Sequence, residues 1–322
     1  MTVRAPAFWA EEGWLPGLLS PLGEVTAWLT ARRVAKPGFR APVPVFCCGN
    51  PGVGGAGKTT LALDLLRRLQ RRGVTPHALL RGYGGTERGP LRVVPGMQDA
   101  RQVGDEALLL AEVAPTWVSA DRAAGARAAV QAGAGAIVMD DGLQNPGLMK
   151  TCSFLVIDGG AGFGNGRLLP AGSLREPVAL AAGRCQAAVL IGADAHHALR
   201  HLPPTLPVLR AALVPEVGHL DPRGDYLAFA GIGRPEKFFA GLRAAGLTLV
   251  ETRAFPDHHR LSSAELAGLR ATASARRAVL LTTPKDLVRL PVPDRAGIAV
   301  AGVALAWEDE AALDALLGRF LP

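Results

Sequence analysis

The spacing of apolar positions changes character near residue 42. Before it, Leu15, Leu18, Leu19, Leu22, Val25, Trp28 and Leu29 recur at helical intervals after Trp14, which predicts a helical segment over 14–29. Pro16 and Pro21 interrupt the stripe and argue against one helix from end to end. After it, short apolar runs alternate with stretches of helical period. Runs 43–48, 74–80, 117–119, 136–139, 154–157 and 187–191 read as strands, and 59–72, 104–113 and 121–132 as helices. The first of these helices carries Leu61, Leu65 and Leu69 at i, i+4 and stops at Gly73. Strands alternating with helices imply a parallel sheet covered on both faces.

Around 203–222 the prolines cluster and the rhythm loosens. It restarts with strands at 226–230, 247–252 and 278–282, and helices at 235–245 and 264–271. The expected organisation is therefore an N-terminal helical segment (1–41), a large α/β unit (42–204), a linker (205–225) and a smaller α/β unit (226–322).

Composition adds constraints. The chain has 322 residues, 49% hydrophobic but only 5% aromatic, so Ala, Val and Leu must supply the core. The 39 glycines suit many tight strand-to-helix turns. The net charge of +7 suits phosphates, nucleic acid or an anionic membrane without choosing among them. Lysine is rare, 5 against 30 Arg, so each Lys stands where Arg does not serve as well. Cys47, Cys48, Cys152 and Cys185 form no C-x-x-C pair, and Cys47 and Cys48 read as buried strand residues. No secretory signal opens the chain, and no apolar run is long enough to span a bilayer, so the expected compartment is cytoplasmic. The Trp/Leu segment is followed by Arg32, Arg33, Lys36 and Arg40 without an acid. That combination suits either a membrane surface or a helix packed on its own domain.

Chemistry concentrates after the first strand of the large unit. Residues 52–59, Gly-Val-Gly-Gly-Ala-Gly-Lys-Thr, match G-x-x-x-x-G-K-[ST] between a strand and an amphipathic helix. The glycines let backbone N–H groups turn toward phosphate oxygens, and the helix adds its positive end. Lys58 would reach the terminal phosphates and the Thr59 hydroxyl a magnesium ion. Gly52, Val53, Gly54, Gly55, Ala56, Gly57, Lys58, Thr59 and the following Thr60 are the nucleotide-binding residues, with ATP and Mg2+ as cofactors. The strand at 136–139 ends in Asp140 and Asp141, a Walker B arrangement. Consecutive strand residues face opposite ways, so one Asp would serve the metal and the other the substrate side. Asp105 and Glu106 open a helix after Gly104; they read either as helix-start acids or as a base and a metal ligand. Asp257-His258-His259 reads either as loop surface or as an Asp–His pair facing a nucleotide across an interdomain cleft. Gly231-Ile232-Gly233 does not complete a dinucleotide fingerprint and reads as an ordinary turn.

Taken together, these stretches resemble the tetraacyldisaccharide 4'-kinase family of lipid A biosynthesis. The resemblance runs from about Trp14 to Leu290 and is highly specific. It rests on Gly49-Asn50 with the phosphate loop, on Arg81-Gly82-Tyr83-Gly84-Gly85, on Val103-Gly104-Asp105-Glu106 and on Asp140-Asp141-Gly142-Leu143-Gln144. It continues through 164–172, Leu174-Arg175-Glu176-Pro177, 229–235, 255–259 and 281–286. It implies a P-loop NTPase-like, mostly parallel α/β sheet flanked by helices, a smaller α/β domain closing over the nucleotide through a ribbon linker, and an N-terminal membrane-surface segment.

The implied reaction moves the γ-phosphate of ATP to the 4'-hydroxyl of tetraacyldisaccharide 1-phosphate, with Mg2+. The implied partners are that lipid A precursor and the inner-membrane surface, on its cytoplasmic face; no nucleic acid is implied, and the chain is expected to be a monomer. Asp105 resembles the catalytic base and His258 its partner, with His259 as the alternative. Thr59, Glu106 and Asp140 resemble the metal ligands, and Lys58 supports the β- and γ-phosphates. Arg81, Tyr83, Asp141, Gln144, Asn145 and Arg175 are the candidates for the substrate. Asn145 stands where the family usually has His, so a proton or charge role there is not expected. Pro51-Gly52, Ser173 and Pro284 also depart from the family's pattern and leave the proposed catalytic residues untouched. The competing classes are a P-loop switch, which would need an absent Asn-Lys-x-Asp motif, and a membrane-associated nucleotide-binding protein without kinase activity.

Overall fold

A computed structural model describes residues 6–9, 11 and 13–321. Its strands are β1 (Val45–Gly49), β2 (Pro76–Leu80), β3 (Leu91–Val93), β4 (Thr116–Val118), β5 (Ala136–Asp140), β6 (Cys152–Asp158) and β7 (Ala187–Ile191), then β8 (Val208–Glu216), β9 (Asp225–Ala230), β10 (Thr248–Ala254), β11 (Val279–Thr282), β12 (Ile298–Val300) and β13 (Gly302–Trp307). Its helices are α1 (Trp14–Val34), α2 (Lys58–Arg71), α3 (Ala100–Val103), α4 (Asp105–Ala111) and α5 (Arg122–Gln131), then α6 (Val178–Ala182), α7 (Pro235–Ala244), α8 (Ser263–Ala275), α9 (Pro284–Leu287) and α10 (Glu310–Gly318).

Nine strands form one sheet in the order β13-β8-β7-β6-β1-β5-β2-β4-β3, and four form a second in the order β10-β9-β11-β12. Every pairing between β8 and β4 in the large sheet is parallel; only the edge pairs β13–β8 and β3–β4 are antiparallel. The central strands are apolar throughout because helices cover both faces. Cys47 and Cys48 lie in β1, fully buried. On α2, Leu61, Leu65, Leu66 and Leu69 face the sheet and are buried. β1 lies between β5 and β6, with Cys48 level with Asp140. The loop after β1 and the acids ending β5 therefore meet at the carboxyl edge of the sheet, where open α/β sheets bind ligands.

Three expectations change. First, α1 is a single helix despite its prolines. Pro16 sits in the first turn, where a missing N–H forfeits no helical bond, and Pro21 lies on the exposed side. Second, the stretch expected as a linker contains β8, a nine-residue strand. Third, the chain does not end in the smaller unit. After β12 it returns through β13, which pairs antiparallel with β8 from Gly302↔Glu216 to Trp307↔Ala211, and α10 then packs beside α2. Arg68 of α2, 5% exposed, pairs with Asp64, Glu310 and Asp314 and fixes that return. β8 and β13 thus form a two-stranded ribbon through which the chain leaves the large sheet and re-enters it.

The face that α1 turns to the protein is small and polar. Pro16 and Gly23 are buried; Thr26 Oγ1 donates to the Leu169 carbonyl at 2.7 Å and Thr30 Oγ1 to the Arg175 carbonyl at 3.0 Å. Ser20 meets Arg167, and Trp9 Nε1 donates to the Pro170 carbonyl at 3.0 Å. Trp14, Leu18, Leu22, Val25, Trp28 and Leu29 point outward, each more than half exposed. A helix serving the core would turn its apolar face inward; this one does the opposite.

Candidate active site

The phosphate loop runs from the end of β1 into α2. Gly57 adopts φ +86°, and a Cβ there would stand 2.5 Å from Ile191 Cδ1, so this turn needs glycine. A Cβ at Gly54 or Gly55 would meet nothing within 4 Å, so the loop is uncrowded at these two positions. The loop is braced from below: Val53 N donates to the Ser173 carbonyl at 2.9 Å and Arg175 N to the Pro51 carbonyl at 2.7 Å. Lys58 Nζ donates to the Gly54 carbonyl at 3.0 Å and to Asn50 Oδ1 at 3.3 Å, and lies 3.7 Å from Asp141 Oδ1. Thr60 follows on the first turn of α2, half-buried.

Thr59 Oγ1 donates to Asp140 Oδ2 at 2.7 Å. Asp140 is 3% exposed, and its Oδ1 has no hydrogen-bond partner among the described residues. Burial pushes its carboxyl well above the usual range, and the neighbouring charge of Glu106 adds to that. Burial also raises Glu106, which Lys285 Nζ approaches at 3.9 Å. Asp141 does not take its direction from strand alternation. It lies past the end of β5 with φ +51°, and that turn brings its carboxylate toward Lys58 and to 3.4 Å from Arg175 Nη1.

Asp141 Oδ1 is likewise buried without a hydrogen bond. The orphaned Asp140 oxygen, on the carboxylate that bonds the Thr59 hydroxyl, leaves negative charge that a hard divalent cation would compensate, whereas Asp141 Oδ1 has the Lys58 ammonium at 3.7 Å. Among the described residues, no group of three or more His, Cys, Asp or Glu could hold a metal unaided. A hydroxyl and a buried carboxylate, all oxygen donors, suit an ion that keeps part of its shell for phosphate oxygens, as Mg2+ does.

Asp105 stands at the opposite wall. The helix expected over 104–113 is α4, which starts at Asp105, and Gly104 (φ +85°) separates it from the short α3, which was not expected. A Cβ on Gly104 would stand 2.5 Å from the Tyr83 carbonyl, so the 82–85 loop packs directly on this turn. Asp105 is the first residue of α4, and its side chain caps no N–H. It crosses instead to the smaller unit, where His258 Nδ1 lies 3.1 Å from Asp105 Oδ2. Arg289 Nε donates to the same oxygen at 3.0 Å, and Lys285 Nζ approaches it at 3.8 Å. Burial alone would raise this carboxyl; the His258 hydrogen bond and the Lys285 and Arg289 charges outweigh it and hold Asp105 well below the usual carboxylate range.

Of the two histidines the sequence left open, only His258 makes this bond. His259 stacks on Phe255 with ring centroids 5.0 Å apart, and bonds to Glu265. His258 holds φ +58°, unusual for a residue with a side chain, and its N–H donates to the Gly231 carbonyl at 3.1 Å.

The remaining candidates separate into two groups. Arg175 and Gln144 belong to a network under the phosphate loop. Gln144 Nε2 donates to the Asn50 carbonyl and to Glu176 Oε1, both at 2.8 Å, and Arg175 Nη1 donates to Gln144 Oε1 at 3.3 Å. Arg184 holds Glu176 from the other side. Asn145 closes its own turn: its Oδ1 accepts from Gly147 N at 2.9 Å, and Lys150 donates to its carbonyl. Arg81 and Tyr83 are exposed at the carboxyl end of β2, beside the Gly104 turn, and form no side-chain hydrogen bond among the described residues.

Sequence reasoning gave no role to Lys285, Arg289 or Arg122. Lys285 carried the same signal as Lys58, a scarce Lys inside a motif. Arg289 lies just past the last motif and had no signal. Arg122 is 3% exposed beside Asp121, and its Nε has no hydrogen-bond partner among the described residues.

A family model described as tetraacyldisaccharide-1-P 4'-kinase matches residues 15–321. Curated relatives with the name tetraacyldisaccharide 4'-kinase include one from Gluconacetobacter diazotrophicus, 56% identical over 99% of this chain and 98% of its own. Another, from Rhodospirillum centenum, is 52% identical over 99% and 97%. Among solved structures, LpxK from Aquifex aeolicus in complex with ATP superposes with a TM-score of 0.77 at 25% identity, covering 96% of this chain and 100% of that one.

Proposed function

The chain belongs to the tetraacyldisaccharide-1-P 4'-kinase family, and from that premise we propose how its cleft serves the kinase reaction of lipid A biosynthesis. The reaction moves the γ-phosphate of ATP to the 4'-hydroxyl of an acylated glucosamine disaccharide 1-phosphate. The 52–59 loop binds the phosphates through backbone N–H groups and the start of α2. Lys58 leaves the Gly54 carbonyl and Asn50 and turns to the β- and γ-phosphate oxygens. Thr59, Asp140 and Glu106 would hold Mg2+, which would supply charge neutralisation to the phosphates. Asp141, Arg175 and Gln144 form the floor on the acceptor side, and Arg81 and Tyr83 face the headgroup from their exposed loop.

Asp105 receives the proton of the attacking hydroxyl, with His258 fixing its orientation. A carboxylate this acidic is a weak base. In a loose phosphoryl transfer the proton leaves late, so aiming the hydroxyl at phosphorus matters more than basicity. The observation that carries the reading is the bond between Asp105, at the edge of the large sheet, and His258, from the smaller unit. It supports a base oriented across a closed cleft rather than a surface loop.

The outward stripe of α1, with Arg32, Arg33, Lys36 and Arg40 beyond it, supports a peripheral seat on an anionic bilayer. None of the described helices is long and apolar enough to cross a membrane. An acceptor with acyl chains stays in the bilayer, so the enzyme must come to it. We assign this seat to the cytoplasmic face of the inner membrane and the working form to a monomer. The experiment is ATP turnover with and without a defined acylated disaccharide 1-phosphate, followed by NMR location of the new phosphomonoester. Turnover that ignores the lipid, or phosphate on another hydroxyl, would sink the reading.

A further inference from the structure

Arg289 touches both halves of the Asp105–His258 pair. It is a side chain of the smaller unit, two residues beyond α9, and 4% exposed. Its Nε donates to Asp105 Oδ2 at 3.0 Å, and its Nη2 reaches the same oxygen. Nη2 also lies 3.1 Å from His258 Nδ1. Nη1 donates to the Gly231 carbonyl and to Asp286 Oδ1, both at 2.8 Å. Asp286 is itself fixed, because its Oδ2 accepts from Gly231 N at 3.1 Å and from Thr283 Oγ1 at 2.7 Å. A Cβ on Gly231 would lie 3.1 Å from Asp286 Oδ1 and 3.2 Å from the Pro256 carbonyl, so any side chain here would press on both.

Two consequences follow. The Gly231 carbonyl accepts from Arg289 Nη1 and from His258 N, so one guanidinium braces the left-handed turn that presents His258. All recorded contacts of the Asp105 carboxylate fall on Oδ2, and Oδ1 accepts no hydrogen bond among the described residues. A planar fork that pins one oxygen fixes the direction of the other. His258 Nδ1 can donate to Asp105 or accept from Arg289 but not both, and its bond to the Asp105 carboxylate requires the proton on Nδ1.

We propose that Arg289, oriented by Asp286, is a positioning residue for phosphoryl transfer: it clamps Asp105 Oδ2 and the His258 turn so that Asp105 Oδ1 faces the acceptor hydroxyl. The inference rests on the reading of Asp105 as the group that meets that hydroxyl. Arg289 touches neither nucleotide nor acceptor; it acts through Asp105.

The test measures kcat, acceptor KM, ATP affinity and thermal stability for Arg289→Met, Arg289→Lys, Asp105→Ala and the double variant Asp105→Ala/Arg289→Met. The expected result is a fall in kcat on the order of 100-fold for Arg289→Met, with ATP affinity unchanged, because lost alignment is felt in the transition state. Arg289→Lys, which keeps the charge but not the fork, recovers part of the loss. In the Asp105→Ala background, Arg289→Met costs nothing further, because the group it aligns is gone. An equal fold-loss in both backgrounds would make Arg289 structural and overturn the proposal, as would wild-type kcat in Arg289→Met. If Arg289→Met does not fold, Asp286→Asn removes the carboxylate that orients the fork and is read in the same four-way comparison. A wild-type kcat in Asp105→Ala alone would fell the reading of Asp105 itself, a result distinct from either of these.

Discussion

Asp140 sits in the wall of the core with one oxygen bonded to Thr59 and the other to nothing. Burial and the Glu106 charge work against its ionisation, so the site carries an electrostatic penalty until a cation arrives. Asp140→Asn keeps the shape and removes the charge. The nucleotide-free variant is expected to melt about 1–2 °C above wild type, corresponding to about 1 kcal/mol, while Mg-ATP no longer raises its Tm. Melting curves with and without Mg-ATP check both halves, and an unchanged Mg-ATP shift would remove Asp140 from the metal site. His77 offers a pH test away from the cleft. Its Nδ1 accepts from Trp117 Nε1 at 3.1 Å, and burial, with the Arg92 charge, lowers its pKa below 6.5. The unfolded chain thus binds a proton more readily, so His77 costs stability as pH falls through 6.5 toward its folded value, and nothing above that. His77→Gln should flatten that part of the Tm–pH curve, and an unchanged slope would contradict the assignment.

At the scale of elements, α1 shows what periodicity does and does not contain. The spacing of Trp14, Leu18, Leu22, Val25, Trp28 and Leu29 predicts a helix with an apolar stripe, but the same stripe is compatible with either orientation. Only the partners of Ser20, Thr26 and Thr30 on the 167–175 segment reveal that the polar side faces the protein. If the stripe seats the enzyme on the bilayer, Leu18→Glu with Trp28→Ser should leave Tm within about 1–2 °C of wild type, as surface changes do. Co-sedimentation with anionic vesicles and turnover of vesicle-borne acceptor should fall, while turnover of detergent-dispersed acceptor should not. Full vesicle binding by this variant would remove α1 as the anchor.

The central parallel strands were legible because strands buried on both faces read as unbroken apolar runs. β8 was hidden in a proline-rich stretch, and its partner β13 lies some ninety residues downstream, a pairing without local signal. The start of α4 after Gly104 was readable, but the short α3 before it was hidden, and the close approach of the Tyr83 carbonyl that requires glycine there is a tertiary fact.

At the scale of the whole molecule, the chain crosses between its two sheets twice, through β8 and β13, and the Asp105–His258–Arg289 cluster lies where the sheets' loops meet. The phosphate loop and the acids after β5 were readable as local motifs. The pairing of Asp105 with His258 was legible only through the family resemblance, since 153 positions separate them. The Arg289 contacts carried no sequence signal at all. In the proposed mechanism the two α/β units, joined by a ribbon, close on the cleft, and the cluster would give that closure its catalytic consequence.

That consequence is tested most directly by Asp105→Ala in a paired measurement of single-turnover phosphoryl transfer to the lipid acceptor and of ATP affinity. The predicted result is a transfer rate lower by a factor on the order of 1,000, within the range that general-base and alignment effects supply, with ATP binding little changed. A collapse of ATP binding, or transfer at the wild-type rate, would contradict the assignment of Asp105 as the group that presents the hydroxyl to ATP.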